Sequence, residues 1–267
     1  MSKYAIIAGG GKLPYLIYKS LIYYNKNVII IGIKNNFANI YNFKKINEVK
    51  LGSLSKIFKI LNDNNINKII FAGSIKRPTL KELSLDLKAL EFLKNNDIEN
   101  LGDNFLLKSI SQFFEMNGFK FIKWHKFCPD LFANENFLTL SKPSKIAYEN
   151  LNKGRKIFNL FGKIDVGQSM IIQNKIILGL EAIEGTNNLI KRCHKYKRNG
   201  DKGILLKLKK FNQDERFDLP TIGIETLRLI KKYNYEGIFI EKKFCIIVDQ
   251  KKTVDYANTN KLFIACI

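Results

Sequence analysis

Three groups of residues have types and spacings suited to phosphate chemistry. The first is Gly9-Gly10-Gly11-Lys12, set between an apolar run and a stretch of helical period. Glycines at that junction let backbone approach an anion, and a following helix N-terminus favours its charge. The dinucleotide fingerprint is not met. Pro14 stands where its last glycine belongs, and Lys34-Asn35-Asn36 follow the second apolar run where a ribose-binding acid belongs. Walker A fails too, because Leu13 follows Lys12 where Ser or Thr is required. A tight turn with no ligand explains the same glycines. The second group is Gly73-Ser74-Ile75-Lys76-Arg77, which follows a third apolar run. Ligands of open α/β sheets bind outside the carboxyl ends of the strands. Gly73 and Gly9–Gly11 could face one crevice, where Lys76 and Arg77 could meet an anion, Arg77 with a bidentate fork; two solvated cations are the plain alternative.

The third group lies in the second half. Asp165-Val166-Gly167-Gln168, Glu181-Ala182-Ile183-Glu184-Gly185-Thr186 and Asp218-Leu219-Pro220-Thr221-Ile222-Gly223 place carboxylates beside glycines at element ends. Carboxylates with waters are the usual way to hold Mg²⁺ beside a phosphate. An extended chain sends Glu181 and Glu184 to opposite faces, so one of them can be structural. Asp218 can instead cap a helix starting near Pro220, and Asp165 a turn. The histidines, His125 and His194, have no nucleophile motif nearby and read as surface or capping residues.

The elements that must position these groups follow from hydrophobic period. Residues 3–8, 28–33 and 68–72 are short apolar runs, as expected of strands buried on both faces. Residues 13–24 have helical period. Ser53 is placed to cap a helix with Leu54, Ile57, Phe58 and Leu61 on one face. Asp103 is placed to cap another, and 119–124 reads as a strand. Strands alternating with helices predict a parallel sheet with right-handed crossovers. In the second half, 144–161 and 185–195 read as helices, and 169–172 with 175–180 as a hairpin. Residues 203–209 read as a strand, and Pro220 sits near the start of a helix running to 233. Strands are expected at 237–240, 244–248 and 262–267, with a short helix at 253–258. The fold class expected is α/β. It comprises an N-terminal Rossmann-like parallel-sheet domain (1–130), a connection (131–143) and a C-terminal mixed α/β domain (144–267).

Composition excludes other classes. The chain has 267 residues, 46% of them hydrophobic, enough for an ordinary core. No run approaches the ~20 apolar residues of a membrane span, and the start lacks a secretory signal; a cytosolic protein is expected. Four scattered cysteines without a C-x-x-C pair read as buried thiols, not a zinc site. The net charge is +21, with 45 Lys and Arg against 24 Asp and Glu. It is spread evenly over both halves, which reads as drift toward Lys, Asn and Ile or as a preference for anionic partners. The even spread argues against a nucleic-acid module, and Pro14 with the missing ribose acid argues against the alternative of a Rossmann-type oxidoreductase or nucleotide-sugar enzyme.

Taken in order, Ile6-Ile7-Ala8-Gly9-Gly10-Gly11-x-Leu13-Pro14, Phe71-Ala72-Gly73-x-x-x-Arg77-Pro78, Leu101-Gly102-Asp103, Asp165-Val166-Gly167-Gln168-Ser169, Glu181-Ala182-x-Glu184-Gly185-Thr186 and Asp218-Leu219-Pro220-Thr221-Ile222-Gly223 resemble the bacterial UDP-2,3-diacylglucosamine pyrophosphatases of the non-calcineurin type. The resemblance covers essentially the whole chain. It implies Mg²⁺-dependent hydrolysis of UDP-2,3-diacylglucosamine to UMP and 2,3-diacylglucosamine 1-phosphate in lipid A biosynthesis, with water attacking the β-phosphorus. The family's essential aspartate corresponds to Asp218, for which the resemblance also implies a metal-ligand role. Substrate contacts are implied for Gly9, Gly10, Gly11, Gly73, Arg77, Asp103, Gln168, Glu181, Glu184, Gly185, Thr186 and Thr221. The family commonly has aspartates where this chain has Asn104 and Asn187. A cytoplasmic enzyme at the inner-membrane surface of a Gram-negative bacterium is expected, with a homodimer expected from the resemblance alone.

Overall fold

Residues 3–8, 27–33 and 68–72 are apolar because both faces of the strands they form are covered. The computed structural model describes residues 2–37, 41–75, 83–94, 103–161, 166–211 and 213–267, with backbone only at 103–105 and 161. In it β1 (Lys3–Ala8) lies between β2 (Asn27–Ile33) and β4 (Lys68–Ala72), so that Ile6 pairs with Ile30 on one side and Ile70 on the other. Two strands lie at the edges, β3 (Ile46–Val49) and β5 (Lys120–Phe121). The order β3-β2-β1-β4-β5 is parallel throughout. The order reverses at β1, which places a topological switch point between the loops that follow β1 and β4. Helices α1 (Leu13–Tyr23), α2 (Leu54–Asp63), α3 (Leu87–Lys94) and α4 (Asp103–Met116) belong to this sheet. Ile57, Phe58 and Leu61 of α2 share a core with Ile29, Ile31, Phe113 and Phe114.

The second sheet has the order β12-β10-β8-β6-β7. The strands β8 (Ile204–Lys207), β10 (Gly237–Ile240) and β12 (Phe263–Cys266) are parallel, while β6 (Ser169–Gln173) runs antiparallel to β8 and to β7 (Ile176–Leu180). A parallel pair, β9 (Thr221–Ile222) and β11 (Ile246–Ile247), stands apart. The helices here are α5 (Lys145–Phe161), α6 (Gly185–His194), α7 (Ile224–Lys232) and α8 (Gln250–Thr259). No helix among the described residues is long and apolar enough to cross a membrane, and all four cysteines are buried free thiols.

By internal packing the chain forms two units. One comprises Met1–Pro129 with Asp214–Asp218, the other Asp130–Gln213 with Leu219–Ile267. Residues 131–143, expected as a connection, are laced to the second unit. Phe132 bridges Ile246, Phe137 bridges Ala265, and Leu138 donates to the Ile264 carbonyl at 3.1 Å.

Several local expectations are corrected. Ser53 makes no side-chain cap to α2; the α2 amide of Ser55 is satisfied by Asp86 at 2.7 Å. The strand expected at 119–124 is ordered as a strand over Lys120–Phe121 only. Pro220 does not begin a helix. It precedes β9, and α7 starts after Gly223, with no side-chain cap, so Asp218 is not its cap. The hairpin turn is Asn174-Lys175, both with positive φ, the geometry of a two-residue turn.

Candidate functional site

In the first unit the glycines tie two loops together at the switch point. The Gly9 amide donates to the Ala72 carbonyl at 2.9 Å and the Gly10 amide to the Ser74 carbonyl at 2.7 Å; the Ser74 amide donates back to Gly10 at 3.0 Å. A Cβ on Gly9 would lie 2.3 Å from the Ser74 oxygen, and one on Gly73 2.5 Å from the Gly10 oxygen. Gly9, Gly10 and Gly73 therefore allow backbone to touch backbone. Two of the three loop amides expected to face a phosphate are engaged in this clamp. Gly11 differs: it has φ +85°, and a Cβ there would meet nothing. Gly73→Ala combines a positive φ with a clash, whereas Gly11→Ala has the φ alone. We expect urea unfolding to show a loss of about 3 kcal/mol for the first and about 1 kcal/mol for the second. Equal losses would mean that the clamp yields without cost.

Asp218 belongs to this unit, although Gln213 before it and Leu219 after it belong to the other. The amides of Phe217 and Asp218 both donate to the Asp214 carbonyl, at 3.1 and 3.2 Å, which closes a turn. Phe217 packs its ring on Phe71 of β4 and Phe121 of β5, with centroids 5.7 and 4.9 Å apart. His125, expected at the surface or as a cap, is half-buried and meets the Glu215 carbonyl through Nε2 at 2.8 Å. Lys123 pairs with Glu215 at 3.3 Å. Asp103 begins α4. Arg77 and Asp165 lie outside the described residues.

In the second unit Gln168, Glu181, Glu184, Gly185, Thr186 and Thr221 come together around the N-terminus of α6. A cleft of about 390 Å³ is lined by Glu184, Gly185, Thr186, Asn187, Thr221 and Gly223, among others. Thr186 is the hub beneath it. Its single hydroxyl proton goes to Glu181 Oε1 at 2.7 Å. Lys207 Nζ donates to the Thr186 hydroxyl oxygen at 2.6 Å, and the Ser169 hydroxyl lies 3.3 Å from that oxygen. The Gln168 amide donates to the other Glu181 oxygen at 3.2 Å. Glu181 and Lys207 are 8% and 5% exposed, so these are core charges. Burial pushes the Glu181 carboxyl up. The Lys207 charge and the hydrogen bonds from Thr186, Ser169 and Gln168 outweigh it and hold the group below the usual glutamate range. Gly167 belongs to the same construction, since a Cβ there would lie 2.2 Å from the Glu181 carbonyl oxygen.

Glu184 turns the other way. Its carboxylate takes Arg192 at 2.6 Å and the Ala182 amide at 3.1 Å. Burial raises its pKa, but Arg192 and the backbone amides bring it below the ordinary value. Gln168 accepts from Gln213 at 3.0 Å, and the Thr221 hydroxyl donates to the Leu219 carbonyl at 3.0 Å. The side chains of Gln168, Glu181, Glu184 and Thr186 thus shape the cleft from within. Sequence reasoning missed Lys207. One lysine in an apolar strand, among 45 basic residues, carries no local mark of its burial.

The LpxI N-terminal domain matches residues 3–131, and the LpxI C-terminal domain matches residues 134–265. The chain belongs to the LpxI family. The chain is also 26% identical to the UDP-2,3-diacylglucosamine pyrophosphatase LpxI of Caulobacter vibrioides over 271 residues, covering 99% of this chain and 97% of that one. In LpxI terms, the boundary between the two matched domains falls near the boundary of the two packed units, and Asp214–Asp218 is the stretch of the C-terminal match that packs in the N-terminal unit.

No cluster of three or more His, Cys, Asp and Glu side chains able to cage a metal forms among the described residues. Mg²⁺ does not need one, because it is commonly held by one or two carboxylates with waters and substrate phosphate oxygens.

Proposed function

We propose that this protein hydrolyses the diphosphate of UDP-2,3-diacylglucosamine, releasing UMP and 2,3-diacylglucosamine 1-phosphate in lipid A biosynthesis. Membership of the LpxI family across both halves carries the reading. The place of Asp218 in the unit that holds the glycine loops, next to Phe217, whose ring packs on β4 and β5, supports it. Water forms a new bond to the β-phosphorus, the bridging P–O bond breaks, and UMP leaves. Asp218 orients that water, or holds Mg²⁺ together with phosphate oxygens. The ion supplies charge neutralisation on the phosphoryl oxygens. The N-terminus of α6, open in the cleft beside Gly185 and Asn187, favours an anionic group.

We also infer a cytoplasmic enzyme that works against the inner membrane, as a homodimer. The surface charge suits an anionic leaflet, where each nearby Lys contributes about 1 kcal/mol.

The test is hydrolysis by the purified protein with Mg²⁺, with and without EDTA, beside UDP-N-acetylglucosamine. UMP release from the diacylated substrate alone, lost in EDTA and restored by excess Mg²⁺, is the expected result. Turnover of both substrates would overturn acyl recognition, and turnover undiminished by EDTA would overturn the metal.

A further inference from the structure

Arg216 stands two residues before Asp218, and no motif singled it out. Its Nε and Nη2 grip both carboxylate oxygens of Asp214 at 2.8 to 3.1 Å, and its own amide donates to the same carboxylate at 3.0 Å. Its other arm, Nη1, reaches Glu115 of α4 at 2.7 Å. The guanidinium lies over the ring of Phe217, 4.8 Å from the centroid. That ring is wedged against Phe71 and Phe121. One side chain therefore locks the turn closed and bolts it to a helix of the first unit. An Arg fork is rigid and planar, unlike a lysine point charge, so it sets direction as well as attraction.

We propose that Arg216 is a positioning residue that aims the Asp218 carboxylate. It acts through the Asp214 turn and touches no substrate. The proposal rests on the hydrolase reading above. A misplacement of about 1 Å in a catalytic group can cost 10²-fold. Loosening this turn should therefore lower kcat and leave KM alone.

The experiment compares wild type, Asp218→Asn, Arg216→Ala and Arg216→Lys in UMP release from UDP-2,3-diacylglucosamine, with kcat normalised to the folded fraction. Wild-type turnover that Asp218→Asn abolishes establishes the parent reading; failure there sinks that reading first and this proposal with it. Arg216→Ala is then expected to lose roughly 30- to 100-fold in kcat with KM nearly unchanged. Arg216→Lys should lose about tenfold, keeping the charge without the fork. Arg216 is about one-quarter exposed, so deleting its side chain opens a slot to solvent. Free guanidinium ion should enter it and restore much of the lost kcat, which a general loss of stability would not allow. Either a kcat within about threefold of wild type, or a loss carried mainly by KM without guanidinium rescue, overturns the proposal. If Arg216→Ala does not fold, Arg216→Lys decides by the same kcat and KM criteria.

Discussion

Asp218→Asn is expected to lose roughly 10²- to 10⁴-fold in turnover of UDP-2,3-diacylglucosamine, the range associated with removing a positioned acid or base, while its melting curve stays that of wild type. The structure gives the reason for both halves of this result. Asp218 is half-buried at the end of a turn held by its neighbours: the Asp214 carbonyl, the Phe217 ring and the Arg216 fork. It does not cap α7, which begins after Gly223 without a side-chain cap, so no helix end is left open. Asparagine has nearly the same volume and keeps one acceptor oxygen. What it lacks is the negative charge that orients a water or shares a cation with phosphate oxygens. Thermal denaturation and steady-state rates on the same preparations check both halves. Turnover within tenfold of wild type would remove Asp218 from the chemistry, and a large fall in Tm would make its role structural.

Lys207→Met is expected to have the largest effect on stability. The substitution leaves Glu181 buried beneath the α6 turn with its main cationic neighbour gone. Removing one partner of a buried pair costs about 3–5 kcal/mol. The lower end applies, because Lys207 and Glu181 meet through the Thr186 hydroxyl and not directly. A fall in Tm of roughly 10 °C follows. The double variant Lys207→Met with Glu181→Gln removes both charges and should recover most of the loss, since an amide still accepts from Thr186. If the double variant is no better than the single, packing and not charge holds this turn.

The pH dependence has a definite sign. The folded Glu181 carboxyl lies below its ordinary value. Its contribution is thus present above the unfolded glutamate pKa of about 4.3 and is lost as pH falls through the lower folded value. In the Glu181→Gln background this part of the acid destabilisation should disappear from urea midpoints taken along a pH series.

These effects show where sequence and structure divide the explanation. The strands β1, β2 and β4 were legible because each is buried on both faces, so burial writes a continuous apolar run such as Val28 to Ile31. Helix α2 was legible because one buried face imposes a period on Ile57, Phe58 and Leu61. The hairpin of β6 and β7 was legible because a short polar break at Asn174 parts two apolar runs. Strands β3 and β9 were not, and β5 and β11 were legible only as runs, 119–124 and 244–248, longer than the pairings that form. With two to four residues they have no period of their own and exist only because a neighbour supplies the ladder. The motifs gave the positions of the glycines and of Asp218, since type and spacing are local properties. Tertiary structure decided what those positions do. It joined Gly9, Gly10 and Gly73 in a backbone clamp, set Lys207 and Glu181 beneath Thr186, and took Asp214–Asp218 out of its sequence context into the first unit. Each of these depends on a partner far along the chain: Ser74 for Gly9, Thr186 for Lys207, and Phe71 and Glu115 for the turn before Asp218. A contact between distant residues leaves no periodic trace in either of them.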